Sequence, residues 1–255
     1  MPTAARILLI LAILLITVTT PVQAYDEVPV GGIAIIGFNF DDPDEFSFVC
    51  TTAIPDGTEI RFTDKGWTSG GAFLNSSGDG LFSWYTPGGC AVGQIVTINV
   101  SDFSTTFILS SEGDQILVYQ FLSGVNHFIF ALNSRGSNWQ ATATSGLTSA
   151  LPTGLDSTNS IALQETDNAI YKETKSFNSV SEGLAYIVDK SKWTPSDDPR
   201  LTMPTGTFSF GPTAIHLSTF TAQSDPQPLP LVYLAGLLVL PVVFYFWKNI
   251  KQKVK

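Results

Sequence analysis

Read for its alternation of apolar and polar positions, the chain divides into a long middle of short β-type runs and two continuous apolar blocks near its ends. In the middle, Ile60 and Phe62 alternate with Glu59, Arg61 and Thr63, Val96, Ile98 and Val100 with Thr97 and Asn99, and Ile161 and Leu163 with Ser160 and Gln164. A period of two places one set of side chains in a core and the other in water. Runs of this kind predict strands near 33–38, 46–51, 59–63, 81–86, 94–100, 105–109, 115–121, 127–132, 160–164 and 206–210. Between them lie the turn sequences Pro55-Asp56-Gly57, Gly78-Asp79-Gly80, Pro87-Gly88-Gly89 and Glu112-Gly113-Asp114. Many short strands with regular punctuation predict an all-β sandwich or barrel. One short helix is expected from about 180 to 190, because Ser179 and Glu182 form a capping box ahead of Leu184, Ile187 and Val188.

The apolar blocks are of another kind. Arg6 followed by Ile7 to Ile16, with Val22-Gln23-Ala24 as a cleavage site, has the form of a secretory signal peptide over 1–24, which would start the mature chain at Tyr25. Leu229 to Trp247 is a 19-residue stretch without a charge. As a helix it would span roughly 28 Å, close to the hydrocarbon thickness of a bilayer. Tyr233, Tyr245 and Trp247 suit the two interfaces, and Pro241 is tolerable in a membrane span. Lys248, Lys251, Lys253 and Lys255 follow with no acid, which by the positive-inside rule puts the tail over 248–255 in the cytoplasm and the preceding domain outside. Residues 213–228 carry several prolines among polar residues and suit an extended stalk. The expected order is thus a signal over 1–24, a β-sandwich over 25–212, the stalk, a transmembrane or sorting helix over 229–247 and the basic tail. Pro226 to Leu231 ahead of the span also resembles the sorting signals of bacterial surface proteins, although no LPxTG is present, so a retained and a processed span are both open.

Charge narrows the partners. All 22 acidic residues lie between Tyr25 and Asp225 against eight basic ones, a formal charge of −14 that the chain's net of −9 understates. Such a domain repels phosphate backbones, so nucleic-acid binding by charge attraction is excluded, while basic proteins, cations and neutral glycans fit. Cys50 and Cys90 are the chain's two cysteines, and a pair in an exported domain is most simply one disulfide, joining the second strand to the turn after the fourth.

Two sets of residues are candidate ligand sites. Asp41, Asp42, Asp44 and Glu45 crowd one loop and offer hard oxygen ligands for calcium, without the EF-hand spacing and with Pro43 interrupting. No other cofactor is implied. Trp67, Trp84 and Trp139 could form a stacking platform for a glycan or fill the core. His127 and His216 are the only histidines, the second in the stalk, and no G-x-S-x-G, S-x-x-K, H-E-x-x-H, C-x-x-C or phosphate-binding glycine loop occurs.

The runs Ile33 to Asn39, Phe46 to Val49, Ile54 to Thr58 and Phe62 to Trp67 resemble the opening of a bacterial surface domain of no assigned activity. Ser110 to Tyr119, with its Ser-x-Gly-Asp approach to a strand, resembles lamin-tail-like immunoglobulin sandwiches. Trp139-Gln140, Ser149 to Pro152 and Asn159 to Leu163 fit the same surface domain, and Leu217 to Ala222 is similar to segments that precede bacterial C-terminal anchors. The likeness covers about 30–222 and rests on turns and core positions. It implies an immunoglobulin-like sandwich and carries over no catalytic residue. The expectation is therefore an exported domain held at the envelope by one C-terminal span, non-catalytic and acting as a binding or structural module toward a surface glycan or protein. The alternative is a carboxylate-dependent extracellular hydrolase acting on glycans.

Overall fold

The alternating runs become strands of two five-stranded sheets, each burying its apolar set against the other. The computed structural model describes residues 27–76, 78–102 and 106–211. The segments expected to be a signal (1–24), stalk (213–228), span (229–247) and basic tail (248–255), including Leu229 and Trp247, lie outside the described residues. Among the described residues no helix is long and apolar enough to cross a membrane.

The first sheet contains β1 (Ile33–Asn39), β2 (Glu45–Cys50), β5 (Ile95–Asn99), β9 (Asn168–Tyr171) and β11 (Trp193–Ser196), in the order β11-β9-β1-β2-β5. The second contains β3 (Glu59–Thr63), β4 (Leu81–Tyr85), β6 (Gln115–Leu122), β7 (Val125–Asn133) and β8 (Ser160–Ala162), in the order β4-β3-β6-β7-β8. Pairing is antiparallel except that β8 runs parallel to β7. A separate parallel pair joins β10 (Ser176–Phe177) to β12 (Ser209–Phe210).

Aromatic rings weld the two sheets together. Phe46 and Phe48 of β2 meet Phe62 of β3 at 5.0 and 5.3 Å between centroids, and Phe48 meets Trp84 of β4 edge-on at 5.1 Å. Burying rings of this size contributes more per residue than aliphatic packing, and the tilted contacts add directionality. The Cys50–Cys90 disulfide, with Cα atoms 6.3 Å apart, ties the end of β2 to the connection that leaves β4 for β5. Closing a loop of 40 residues in the unfolded chain is worth about 3 to 4 kcal/mol in the chain-entropy account.

The expected helix forms as α1 (Val180–Ile187) and ends earlier than the spacing predicts. Ser179 Oγ accepts from the Glu182 N–H, as a capping box requires. The Glu182 carboxylate reaches one residue further back than usual and accepts from the Asn178 N–H.

Three differences from the predicted strands have local causes. Over 106–109 no strand forms, because carboxylates take the place of a neighbouring ladder: Ile108 N–H donates to Asp64 and Leu109 N–H to Asp44, while Phe107 enters the core. The run at 206–210 is a strand only over β12, with Thr207 bridging to Gln94. Strands β9, β10 and β11 were not foreseen, since each has four residues or fewer and β11 contains Pro195.

Candidate functional site

The second sheet turns one face to the core and one outward, and the outward face differs between its two halves. Register sets three rows. Tyr85, Glu59 and Phe121 lie across β4, β3 and β6, because Glu59 pairs with Tyr85 and the Arg61–Tyr119 pairing continues toward Phe121. Ser83, Arg61, Tyr119 and Phe128 form the next row, and Leu81, Thr63, Leu117 and Ala131 the third. A bulge between Val118 and Tyr119 inserts Ile129 into β7, so Phe128 and Ala131 share the outer face although three residues apart.

Toward β7 the face is covered. Trp67, Phe73 and residues of the 139–155 segment fold over Leu117, Tyr119, Phe128 and Ala131 to build a second core. Trp67 stands edge-on to Phe128 at 4.8 Å and to Phe73 at 5.0 Å and is 7 % exposed. The Trp67 N–H donates to Ser149 Oγ, and the Ala150 N–H donates to the Trp67 carbonyl, which ties the two segments of this cover to each other.

Toward β4 the face is open. Tyr85 is 60 % and Phe121 45 % exposed. Together with Gly57, Glu59, Gln120 and Leu122 they line a shallow cleft of about 220 Å³. Gly57 ends the Pro55-Asp56-Gly57 turn with φ of +76°, the left-handed position a type II turn reserves for glycine, and open space lies where its Cβ would be. On the far side, Ser123 (φ +52°) and Gly124 (φ +84°) make the two-residue hairpin turn that presents Phe121 and Leu122.

Glu59 is the polar centre of the cleft. Its Oε1 accepts from Arg61 Nε at 3.0 Å, from Ser83 Oγ at 2.7 Å and from the Tyr85 hydroxyl at 3.3 Å, while Oε2 accepts from Arg61 Nη2 at 3.2 Å. The Arg61 guanidinium also lies 5.1 Å from the Phe121 ring centre. Partial burial pushes the Glu59 carboxyl up, but the hydrogen bonds from Arg61 and Ser83 outweigh it and hold the group below the usual glutamate value. The same bond raises Arg61, so both stay charged at neutral pH.

The opposite end of β3 has the reverse chemistry. Asp64, one residue past the strand, is 1 % exposed and accepts from the Gly80 and Ile108 N–H groups. Asp114 is 2 % exposed and accepts from the Ser110 and Gln115 N–H groups. Burial pushes Asp64 up to about 7, with a further rise from the charge of Asp79, and pushes Asp114 up as well, helped by Asp64. These carboxylates hold loops in place where no solute reaches them.

The residues singled out from sequence are distributed as follows. Trp84 belongs to the main core and Trp67 to the second, with half-buried Trp139 packed against the latter, so the three tryptophans form no common platform. Asp41, Asp42 and Asp44 lie in the loop that leads into Glu45, the first residue of β2, but Arg200 occupies the centre of this group, bonded to Glu45 Oε1 at 2.6 Å and to the Asp41 and Pro43 carbonyls. Asp44 accepts from Leu109 N–H, and Asp41 from Asn168 Nδ2. Among the described residues no group of three or more His, Cys, Asp or Glu side chains is placed to hold a metal ion. His127 sits in β7, its Nδ1 2.6 Å from Glu27 Oε1, and among the described residues has no nucleophile as partner. The cleft residues Tyr85 and Phe121 escaped sequence reading, although the alternation that buries Ile60 and Phe62 also turns Glu59 and its neighbours outward. Comparison with protein-family models, with curated proteins and with solved structures returns no match, so the site stands on its own geometry.

Proposed function

We propose that this chain is an exported β-sandwich, held at the cell envelope by its C-terminal segment, that works by binding through the open half of the second sheet's outer face. One observation carries the reading: two large aromatic side chains stand in water on rigid strands on either side of a charged pair whose hydrogen bonds are already made. Strand-borne rings lose little freedom on binding, and two aromatic rings lining one cleft with a polar group between them have the make-up of a ligand site. Export is supported by the leader-like 1–24, the uncharged 229–247 and the disulfide, a bond that persists in oxidising compartments. The crossing of the chain from β2 to β3 and from β4 to β5 between sheets supports an immunoglobulin-like, lamin-tail-like description of the sandwich.

Binding is favoured over hydrolysis by the chemistry of Glu59. A glycosidase needs two carboxyl groups flanking the bond, one of them protonated at working pH. Among the described residues Glu59 is the single carboxylate lining the cleft, and it is held ionised. The test has two parts. Intact mass of the protein from envelope membranes should begin at Tyr25, and an externally added protease should digest the domain on intact cells. Purified full chain should bind envelope preparations, with binding lost in Tyr85→Ala. A cytoplasmic, uncleaved chain, or envelope binding indifferent to Tyr85, would overturn the reading.

A further inference from the structure

We infer that the occupant of the cleft is a neutral saccharide chain, an assignment that rests on the binding role proposed above and adds the chemical class of the ligand. Tyr85 and Phe121 sit two strand spacings apart on one row, roughly 9 to 10 Å at the usual distance between neighbouring strands. That separation suits rings stacking on two sugar units of a chain lying across the sheet. Phe121 has Arg61 over one face, and Tyr85 has no ring partner among the described residues, which leaves aromatic surface for the C–H faces of pyranose rings.

The polar groups select hydroxyls over ions. Glu59 lines the cleft and Arg61 beside it neutralises its charge, so the cleft offers a carboxylate oxygen as acceptor without net charge. A sugar hydroxyl can donate to that oxygen without bringing a charge. An anionic polymer would face the negative field of the whole domain, and a cationic one would compete with Arg61 for Glu59. A peptide added as a strand would pair with the free edge of β4 and so lie beside the cleft, because β3 beneath it is an inner strand between β4 and β6. At about 220 Å³ the cleft is smaller than pockets that enclose a free small molecule, as expected for a surface that grips two units of a polymer and lets the rest run on.

The experiment is affinity electrophoresis and calorimetry of the full chain in detergent micelles against soluble neutral glucans, mannan, xylan and galactan. Polygalacturonate and chitosan serve as charged controls, and an envelope preparation is included in parallel. Tyr85→Ala, Phe121→Ala and Glu59→Gln are compared with Tyr186→Ala, an exposed aromatic on α1, with circular dichroism confirming the fold of each. The expected result is binding of at least one neutral polymer, weakened tenfold or more by Tyr85→Ala and by Phe121→Ala and unchanged by Tyr186→Ala. Neutral polymers bound equally by wild type and the cleft variants would overturn the assignment. Tyr85-dependent binding to envelope protein with no neutral polymer bound would overturn the saccharide and leave the binding role standing. Absence of any Tyr85-dependent binding would remove both.

Discussion

The two halves of the second sheet's outer face are built from the same strands and carry the same kinds of side chain, yet one half is a core and the other a surface. Tyr119 and Phe128 lie under Trp67 and Phe73, whereas Phe121, two residues along from Tyr119 on β6, faces water. The strand pattern is the same in both. The difference comes from the loops, since the 66–75 and 139–155 segments fold back over β6 and β7 and stop short of β4. An aromatic on an outward strand position is structural or functional according to what covers it, not according to its own alternation.

The largest test of this contrast is Trp67→Ala. Removing a ring from the covered half should cost about 3 to 5 kcal/mol in urea unfolding, as for a buried aromatic elsewhere. A loss below about 1 kcal/mol would show that the cover is not a core at all. The contrast also runs along β3 as one of charge, between buried Asp64 and solvated Glu59. Asp64 moves from 3.8 to about 7 on folding, so the folded state holds its proton more tightly than the unfolded chain. Its contribution is therefore fully present below the unfolded value near 4 and is lost as pH rises through about 7. Glu59, lowered on folding, has the opposite sign: its contribution is present above the unfolded value and is lost as pH falls through the lowered one. The urea midpoint should accordingly be higher at about pH 5 than at about pH 8, and Asp64→Asn should reduce that dependence, with Asp44 and Asp114, also raised on folding, keeping part of it, while Glu59→Gln leaves it in place. A midpoint that rises toward pH 8 would contradict the assignment.

Smaller effects belong to the open half. Glu59→Gln removes charge-assisted bonds at a partly exposed site and should cost about 1 kcal/mol of stability, since solvent screens the Arg61 pair. Tyr85→Ala should change stability by less than about 0.5 kcal/mol, as expected for an exposed side chain. A large loss on Tyr85→Ala would mean that this ring packs, and the two halves would then be alike.

Much of the sandwich was legible because alternation survives wherever a strand has one wet face, as at Glu59–Thr63. The pairing of Cys50 with Cys90 followed from composition, two cysteines in a chain expected to be exported. Strands β9, β10 and β11 were not legible, since two to four residues carry no period. Trp193 of β11, which packs in the main core and donates its indole N–H to the Ile187 carbonyl, left no local signal either. The site was harder still. Tryptophans drew attention as stacking residues, but large rings are what cores use, and Trp67 and Trp84 went there. Tyr85 and Phe121 could be separated from them only by knowing that, among the described residues, no loop crosses their end of the sheet, a long-range property of the chain. The acidic loop at 41–45 promised a cation and received one from Arg200, which is distant in sequence.

The most direct measurement is hydroxyl-radical footprinting of the full chain, free and bound to envelope, read residue by residue. The account predicts fast oxidation of Tyr85 and Phe121 in the free protein, slow oxidation of Trp67, and protection of Tyr85 and Phe121 alone on binding. Rates for Tyr85 and Phe121 that stay the same in both states, or a free-state Trp67 as reactive as Tyr85, would contradict it.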